Sequence, residues 1–175
     1  PNFITLLNLL SGVMGIIWVL EGELLYGAYF VLLSATFDFF DGFAARLLKV
    51  QSDMGKELDS LADVVSFGVL PGILLYTLTK TQTDSQFLPF LCLIIPLFSA
   101  YRLAKFNLDT RQSDRFIGLP TPASALFLTT LPHLAAKWPE MATWLNSPIA
   151  LVVIAWITSL LLVAELPLIA LKFKN

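Results

Sequence analysis

Two short acidic segments decide the fold of this chain. They read Asp38-Phe-Phe-Asp41-Gly42-Phe-Ala-Ala45-Arg46 and, after eight residues, Gly55-Lys-Glu-Leu-Asp59-Ser-Leu-Ala-Asp63. Residues three or four apart share one face of an α-helix, so the aspartates of each segment form a pair on one face. If the two helices are antiparallel neighbours joined by a turn at 47–56, all four carboxylates converge on one pocket.

The composition predicts an all-α integral membrane protein. Hydrophobic residues make up 57% of the 175 residues and charged residues only 14%, whereas charged residues make up about a quarter of a typical soluble domain. Apolar runs of roughly twenty residues, the length that crosses a bilayer as a helix, occur six times, at 4–20, 25–48, 58–78, 87–104, 121–136 and 148–171. We expect a single transmembrane domain over residues 1–175 with six helices.

Cysteine usage and net charge exclude other classes of protein. Cys92 is the only cysteine and His133 the only histidine, so there is neither a disulfide framework nor a Cys/His zinc motif. The net charge is -2, and no nucleic-acid partner is expected.

The positive charges predict the orientation in the membrane, because cytoplasmic loops carry an excess of Lys and Arg. With six spans both termini lie on one side, and only Lys80 and Lys137 fall on the other. The first side carries nine basic residues: Arg46, Lys49, Lys56, Arg102, Lys105, Arg111, Arg115, Lys172 and Lys174. We therefore expect an inner or plasma membrane protein whose termini and aspartates face the cytoplasm.

The aspartates predict a metal site. Charged residues inside membrane helices are costly unless they pair or line a cavity. A single aspartate at a helix end needs no more than interfacial water, but four in register on adjoining spans favour a functional cluster. Carboxylate oxygens suit hard divalent cations such as Mg²⁺ or Mn²⁺, and two such ions would relieve the repulsion among Asp38, Asp41, Asp59 and Asp63.

The small residues between the aspartates indicate room for a ligand. Gly42 and Ala45 leave space for a bulky group or for a close helix approach. Arg46, one turn beyond Gly42, can offer a forked donor to a phosphate; alternatively it is a snorkelling cation at a helix end. A diphosphate held by divalent metals beside an arginine is typical of phosphoryl-transfer sites.

The complete pattern, Asp-x-x-Asp-Gly-x-x-Ala-Arg, eight residues, then Gly-x-x-x-Asp-x-x-x-Asp, resembles the signature of the CDP-alcohol phosphatidyltransferase family. The resemblance implies a six-helix membrane fold, a two-metal site with Mg²⁺ or Mn²⁺, a homodimer, and transfer of a phosphatidyl group from CDP-diacylglycerol to an alcohol with release of CMP. All eight fixed positions are filled, by Asp38, Asp41, Gly42, Ala45, Arg46, Gly55, Asp59 and Asp63.

The same resemblance implies a role for each site residue. Asp38 and Asp59 would bridge both metals, Asp41 would complete one, and Asp63 would contact the second and act as general base. Asn2 resembles the family's nucleotide contact but is equally placed to cap the first helix. The residues implied to hold the CDP-diacylglycerol are Asn2, Thr5, Gly42, Ala45, Arg46 and Ser52.

Two later segments resemble the phosphatidylserine synthase branch of the family. They read Ser99-Ala-Tyr101-Arg102-Leu-Ala-Lys105-Phe-Asn107 and Gly118-Leu-Pro120-Thr-Pro122-Ala; the branch carries Arg-Leu-Ala-Arg-Phe-Asn followed by Gly-Leu-Pro-x-Pro-Ala. The resemblance implies L-serine as the acceptor, bound by Arg102, Lys105 and Asn107. Lys105 stands where the branch has an arginine, so it keeps the charge and loses the bidentate fork.

Other interpretations stay open at this point. The basic residues, including Arg111 and Arg115, could instead bind anionic lipid headgroups, or hold a phosphorylated acceptor such as glycerol 3-phosphate or an inositol phosphate. A cation-coupled transporter would also use intramembrane aspartates, but it predicts two similar halves, which the sequence lacks. Glu165, in the last predicted span, either pairs with a cation or lines the cavity.

Overall fold

The computed structural model describes residues 1–50, 52–108, 116–164 and 167–168, which are almost entirely helical. The prediction of an all-α membrane fold is confirmed. One short antiparallel pair joins β1 (Phe116–Ile117) to β2 (Pro167–Leu168). The helices are α1 (Asn2–Leu20), α2 (Tyr26–Leu48), α3 (Asp53–Asp63), a π-helical segment (Val64–Val69), α4 (Leu70–Lys80), a 3₁₀ segment (Leu88–Leu93), α5 (Ile94–Leu108), α6 (Thr121–Lys137), α7 (Pro139–Leu145) and α8 (Pro148–Val163).

Within the described ranges, four helical stretches are long and apolar enough to cross a membrane: Asn2–Leu20, Tyr26–Leu48, Asp53–Lys80 and Leu88–Leu108. Helices α7 and α8 supply a fifth if they are counted as one span despite a bend of 82° between them. Helix α6 has 17 residues and is shorter than those four stretches. The predicted count of six spans is therefore not confirmed.

The prediction of a last span reaching residue 171 is wrong. Helix α8 ends at Val163, and Ala164 is extended, with φ −63° and ψ 134°. Pro167 cannot donate a backbone hydrogen bond and disfavours helix in the residue before it, and it pairs instead with Ile117 in the short ladder. Glu165, Arg111 and Arg115 lie outside the described residues.

The polar connection between the two acidic helices is shorter than predicted. Lys49 closes α2 in the left-handed conformation, with φ 53°. Helix α3 then begins at Asp53 rather than near residue 58, because the Ser52 hydroxyl accepts a hydrogen bond from the Gly55 amide at 3.0 Å and so caps the helix. Asp59 and Asp63 consequently lie in one helix that runs on towards Lys80.

Helix α1 joins the two acidic helices. The described residues of α2 and α3 make few close backbone contacts with each other, whereas α1 packs against both, and against the π-helical segment and α4 as well. The buried face of α1 is made mostly of small and polar side chains, which let membrane helices approach closely. These residues are Thr5, Asn8, Ser11, Gly12, Gly15 and Val19.

The apolar core lies mainly around α4. Leu70, Leu74 and Leu75 are fully buried there and pack with Leu128 of α6 and Leu151 of α8. Since α3 and α4 belong to one stretch of 28 residues, which is roughly 40 Å long at about 1.5 Å per residue, this core occupies the half of the bundle away from the start of α3. The polar side chains of α1 to α3 are left to the other half.

We expect Gly12→Ala to lower the thermal stability of the protein. A Cβ at Gly12 would lie 2.9 Å from the Ser66 Cα, and backbone cannot rotate aside, so α1 must shift. Overpacking of this kind costs about 1–3 kcal/mol, which thermal unfolding in detergent will measure. Gly42→Ala is the control for stability, because a Cβ there meets no described atom within 4 Å. If both variants unfolded at the same midpoint temperature, the close approach of Gly12 to Ser66 would be contradicted.

Candidate active site

Three carboxylates from two helices converge at one point. Asp38 and Asp41 of α2 and Asp59 of α3 each place an oxygen within 4.8 Å of the other two. Asp41 is buried, and Asp38 and Asp59 are half-buried. The spacings of three and four residues thus act as the sequence predicts, each turning its aspartates to the inside of the bundle.

This three-aspartate cluster has the chemistry of a divalent metal site. Asp41 Oδ2 and Asp59 Oδ1 are buried and have no hydrogen-bond partner among the described residues. Buried polar atoms are normally satisfied, because an unpaired one costs free energy. Since every donor is a carboxylate oxygen, the cluster fits a hard cation such as Mg²⁺ or Mn²⁺, and Asp38, Asp41 and Asp59 are the residues that would hold it.

Asp63 lies beside this cluster rather than within it. It is 7% exposed and occupies the last residue of α3, one turn beyond Asp59. Its Oδ1 accepts a hydrogen bond from the side-chain amide of Asn8 at 3.1 Å, and its charge interacts with those of Asp38 and Asp59. The structure therefore brings three of the four predicted ligands together and gives the fourth a separate partner on α1.

A cavity of about 420 Å³ opens beside the cluster, and cavities of this order accommodate small-molecule ligands. Asp41 and Asp59 line it from the cluster side. Five of the six residues predicted to hold the nucleotide part of a lipid donor also line it, namely Asn2, Thr5, Gly42, Ala45 and Ser52. The cavity thus joins the predicted nucleotide residues to the aspartates.

Two of these lining residues, Asn2 and Ser52, place polar side-chain atoms close to Gly55. Asn2 does not cap α1, because Pro1 occupies the cap position. A Cβ added at Gly55 would lie 3.3 Å from the Asn2 Oδ1 and 3.1 Å from the Ser52 hydroxyl oxygen. Glycine at position 55 therefore leaves room for both polar groups at the mouth of the cavity.

Arg46, the sixth predicted residue, is not among the residues that line this cavity. Its side chain is exposed, and its Nε donates to the Gly42 carbonyl on its own helix at 3.0 Å. The side chain starts one turn from the cavity wall at Gly42.

Sequence reasoning missed Lys56 and Asn8. Lys56 lines the cavity, and its ammonium donates to the Asn107 carbonyl at 2.9 Å. Its spacing of three residues from Asp59 was the available signal. Asn8 could have been found because it is an amide within an apolar span, on the same helix face as Thr5 and Gly12. Polar residues inside membrane helices are candidates for a functional role.

The three predicted acceptor residues all lie on α5, but their side chains have different surroundings. Arg102 is half-buried, its charge interacts with that of Asp63, and its Nε is buried without a hydrogen-bond partner among the described residues. Asn107 instead ties α5 to α3, because its side-chain amide donates to the Ser60 hydroxyl at 2.8 Å and its backbone carbonyl accepts from the Lys56 ammonium. Lys105 lies half-buried between them.

The family model for CDP-alcohol phosphatidyltransferase matches residues 1–164. The chain belongs to this family, and the prediction from its acidic signature is confirmed. Members of the family generally use divalent metals, with which the three-aspartate cluster is compatible.

The chain is similar to several proteins of bacteria and archaea. A CDP-diacylglycerol–serine O-phosphatidyltransferase of Bacillus subtilis is 38% identical over 132 residues, covering 75% of this chain and 73% of that protein. One of Methanocaldococcus jannaschii is 40% identical, covering 73% of this chain and 57% of that protein. An archaetidylserine synthase of Methanothermobacter thermautotrophicus is 33% identical, covering 81% of this chain and 60% of that protein. The chain therefore spans about three quarters of the first protein and less than two thirds of the other two.

We expect Asp59→Asn to weaken Mn²⁺ binding by about tenfold to a hundredfold, because a buried ligand oxygen loses its charge. The measurement is a titration of free Mn²⁺ by electron paramagnetic resonance on protein in detergent. Asp53→Asn is the matched control: Asp53 lines the same cavity but is exposed and lies outside the cluster. An equal loss of affinity in both variants would rule out the cluster as the metal site.

Proposed function

We propose that this chain transfers the phosphatidyl group of CDP-diacylglycerol to the hydroxyl of L-serine and releases CMP. The observation that carries the proposal is the cavity of about 420 Å³ whose walls combine the predicted nucleotide residues with Asp41 and Asp59. The names of the Bacillus and Methanocaldococcus relatives, both serine O-phosphatidyltransferases, support it.

The donor is proposed to lie with its CDP moiety in the cavity and its diphosphate against the cluster. Gly42 and Gly55 allow the nucleotide to approach the backbone, and the Lys56 ammonium supplies a positive charge on the same wall. The acyl chains would follow the bilayer-facing side of α2, where Phe39, Phe40 and Phe43 are exposed. Arg46 would reach the phosphates after giving up its hydrogen bond to Gly42.

A divalent ion bound by Asp38, Asp41 and Asp59 would polarise the diphosphate and stabilise the charge on departing CMP. Either Mg²⁺ or Mn²⁺ suits these oxygen ligands, and the family resemblance favours two ions with Asp63 touching the second. Asp63 accepts the proton of the serine hydroxyl, whose oxygen then attacks the β-phosphorus. As that bond forms, the bond to the CMP oxygen breaks.

Serine is proposed to bind between α5 and Asp63. The Arg102 Nε has no hydrogen-bond partner among the residues that the structure describes, and the guanidinium can bind the carboxylate through charge-assisted hydrogen bonds. Lys105 adds positive charge to the same stretch of α5. Asn107, tied to Ser60 and Lys56, would contribute by holding that stretch against α3.

We further propose that residues 1–175 act as one catalytic domain, that two copies associate as a homodimer, and that nucleic acid is not a partner. The aspartate end of the bundle is assigned to the cytoplasm, since nine of the eleven basic residues fall on that side when both termini share it. Water-soluble serine and CMP would then enter and leave from the cytosol.

We expect purified protein with CDP-diacylglycerol and Mn²⁺ or Mg²⁺ to release CMP only when serine is present. Asp63→Asn should reduce this release by about a hundredfold or more, because general base catalysis contributes about that much, while donor binding is kept. The measurements are CMP release with labelled serine and donor-induced thermal stabilisation.

Asp84→Asn controls for the loss of a carboxylate, because Asp84 lines a separate cavity beyond Lys80. Release that depends on glycerol 3-phosphate or an inositol phosphate rather than serine would overturn the choice of acceptor. Full activity in Asp63→Asn would remove Asp63 from the proposed role.

The orientation can be tested with single cysteines, because Cys92 is the only native cysteine and is buried. Lys49 and Asp84 are exposed and flank opposite ends of the Asp53–Lys80 stretch. We expect a membrane-impermeant maleimide to label Lys49→Cys only in inside-out vesicles and Asp84→Cys only in right-side-out vesicles. The reversed pattern would place the aspartates on the outer side.

A further inference from the structure

Asn8 is a completely buried amide in the middle of an apolar membrane helix. Such a group is costly unless it is paired. Its Nδ2 donates to Asp63 Oδ1 at 3.1 Å, across 55 residues of sequence. The hydrogen bond reaches Asp63, a residue of the family signature, from a donor on α1 that is not part of that signature.

The backbone of Asn8 is fixed from two sides. Its carbonyl accepts one hydrogen bond from the Ser34 hydroxyl of α2 at 3.2 Å and another from the Ser66 hydroxyl of the π-helical segment at 3.0 Å. Ser34 lies four residues before Asp38, and Ser66 three residues after Asp63. The backbone of residue 8 is therefore tied both to α2 and to the π-helical segment that follows Asp63.

The remaining polar atom of Asn8 shows which interaction the amide serves. Asn8 Oδ1 is buried and has no hydrogen-bond partner in the described part of the chain, so the amide is satisfied only through its donation to Asp63. Within that part of the chain, Asp63 is therefore the side-chain hydrogen-bond partner of Asn8.

We propose that Asn8 is a positioning residue for Asp63. The amide holds one carboxylate oxygen, which fixes the plane of the group and leaves the other oxygen to receive the proton of the acceptor hydroxyl. This inference rests on the proposed function, in which Asp63 is the general base, and adds the residue that orients it.

The test compares Asn8→Leu and Asn8→Ser with the wild type, each loaded with Mn²⁺ and CDP-diacylglycerol. A hydrogen bond to a charged group contributes enough that its loss should lower kcat by about tenfold to a hundredfold. The KM for CDP-diacylglycerol and the Mn²⁺ affinity should stay within about twofold, because Asn8 belongs neither to the cluster nor to the cavity wall. A purely structural role for Asn8 would not lower kcat while leaving the KM for CDP-diacylglycerol and the Mn²⁺ affinity unchanged.

Ser11→Ala is the matched control. Ser11 is buried on the same face of α1, one turn from Asn8, and its hydroxyl donates to the Phe30 carbonyl at 3.1 Å. Its removal should lower thermal stability and leave kcat of the folded protein within about twofold of wild type. Asn8→Ser is small enough to enter the packed face if Asn8→Leu does not fold.

Wild-type kcat in a folded Asn8 variant would overturn the inference, and so would a loss of kcat matched by a loss of Mn²⁺ affinity. Failure of both variants to fold would assign Asn8 to packing alone. These outcomes differ from failure of the proposed function, in which the wild type itself releases no CMP with serine. If another acceptor supports release, the same comparison is made with that acceptor.

Discussion

The mutual repulsion of three carboxylates is the constraint on which this structure depends. Two unit charges about 5 Å apart repel by roughly 3 kcal/mol at an effective dielectric constant of about 20, and Asp38, Asp41 and Asp59 place oxygens within 4.8 Å of one another. The bundle must therefore hold α2 and α3 together by contacts made elsewhere. A divalent cation bound by the three carboxylates would offset this repulsion and would bind more tightly because of it.

Helix α1 supplies those contacts. Its glycines let it approach the π-helical segment and α4 closely, and its serine and asparagine side chains bond to α2 and α3. The Asn8 carbonyl joins Ser34 to Ser66. Since lipid tails are as apolar as leucine side chains, close packing and polar contacts of this kind are what hold membrane helices together. This strongly apolar helix is thus organised around its few polar residues.

The ligand cavity and the apolar core lie in different halves of the helix bundle. Apolar residues of α4, α6 and α8 fill one half, while the cavity and the cluster occupy the half where α2 ends and α3 begins. The continuous Asp53–Lys80 stretch connects the two halves, with the π-helical segment directly after Asp63. Segments of this type often occur at functional sites; here the segment lets Ser66 meet the same residue of α1 that holds Asp63.

Local spacing was enough to predict the facing of each aspartate pair, because residues three or four apart share a helix face whatever surrounds them. The class of protein and the predicted residues of the cavity wall came instead from the resemblance of the acidic signature to a known family. The spacing also predicted a cluster of carboxylate oxygens, the ligand type that hard divalent cations prefer. Only the tertiary structure decided that α1 joins the acidic helices, that Asp63 bonds to Asn8 and that Asn107 ties α5 to α3. The last two contacts join residues 55 and 47 positions apart, and no periodicity within one helix carries information about the helix that it contacts. The end of α8 was also decided by the tertiary structure, because Pro167 pairs with Ile117 in the short antiparallel ladder.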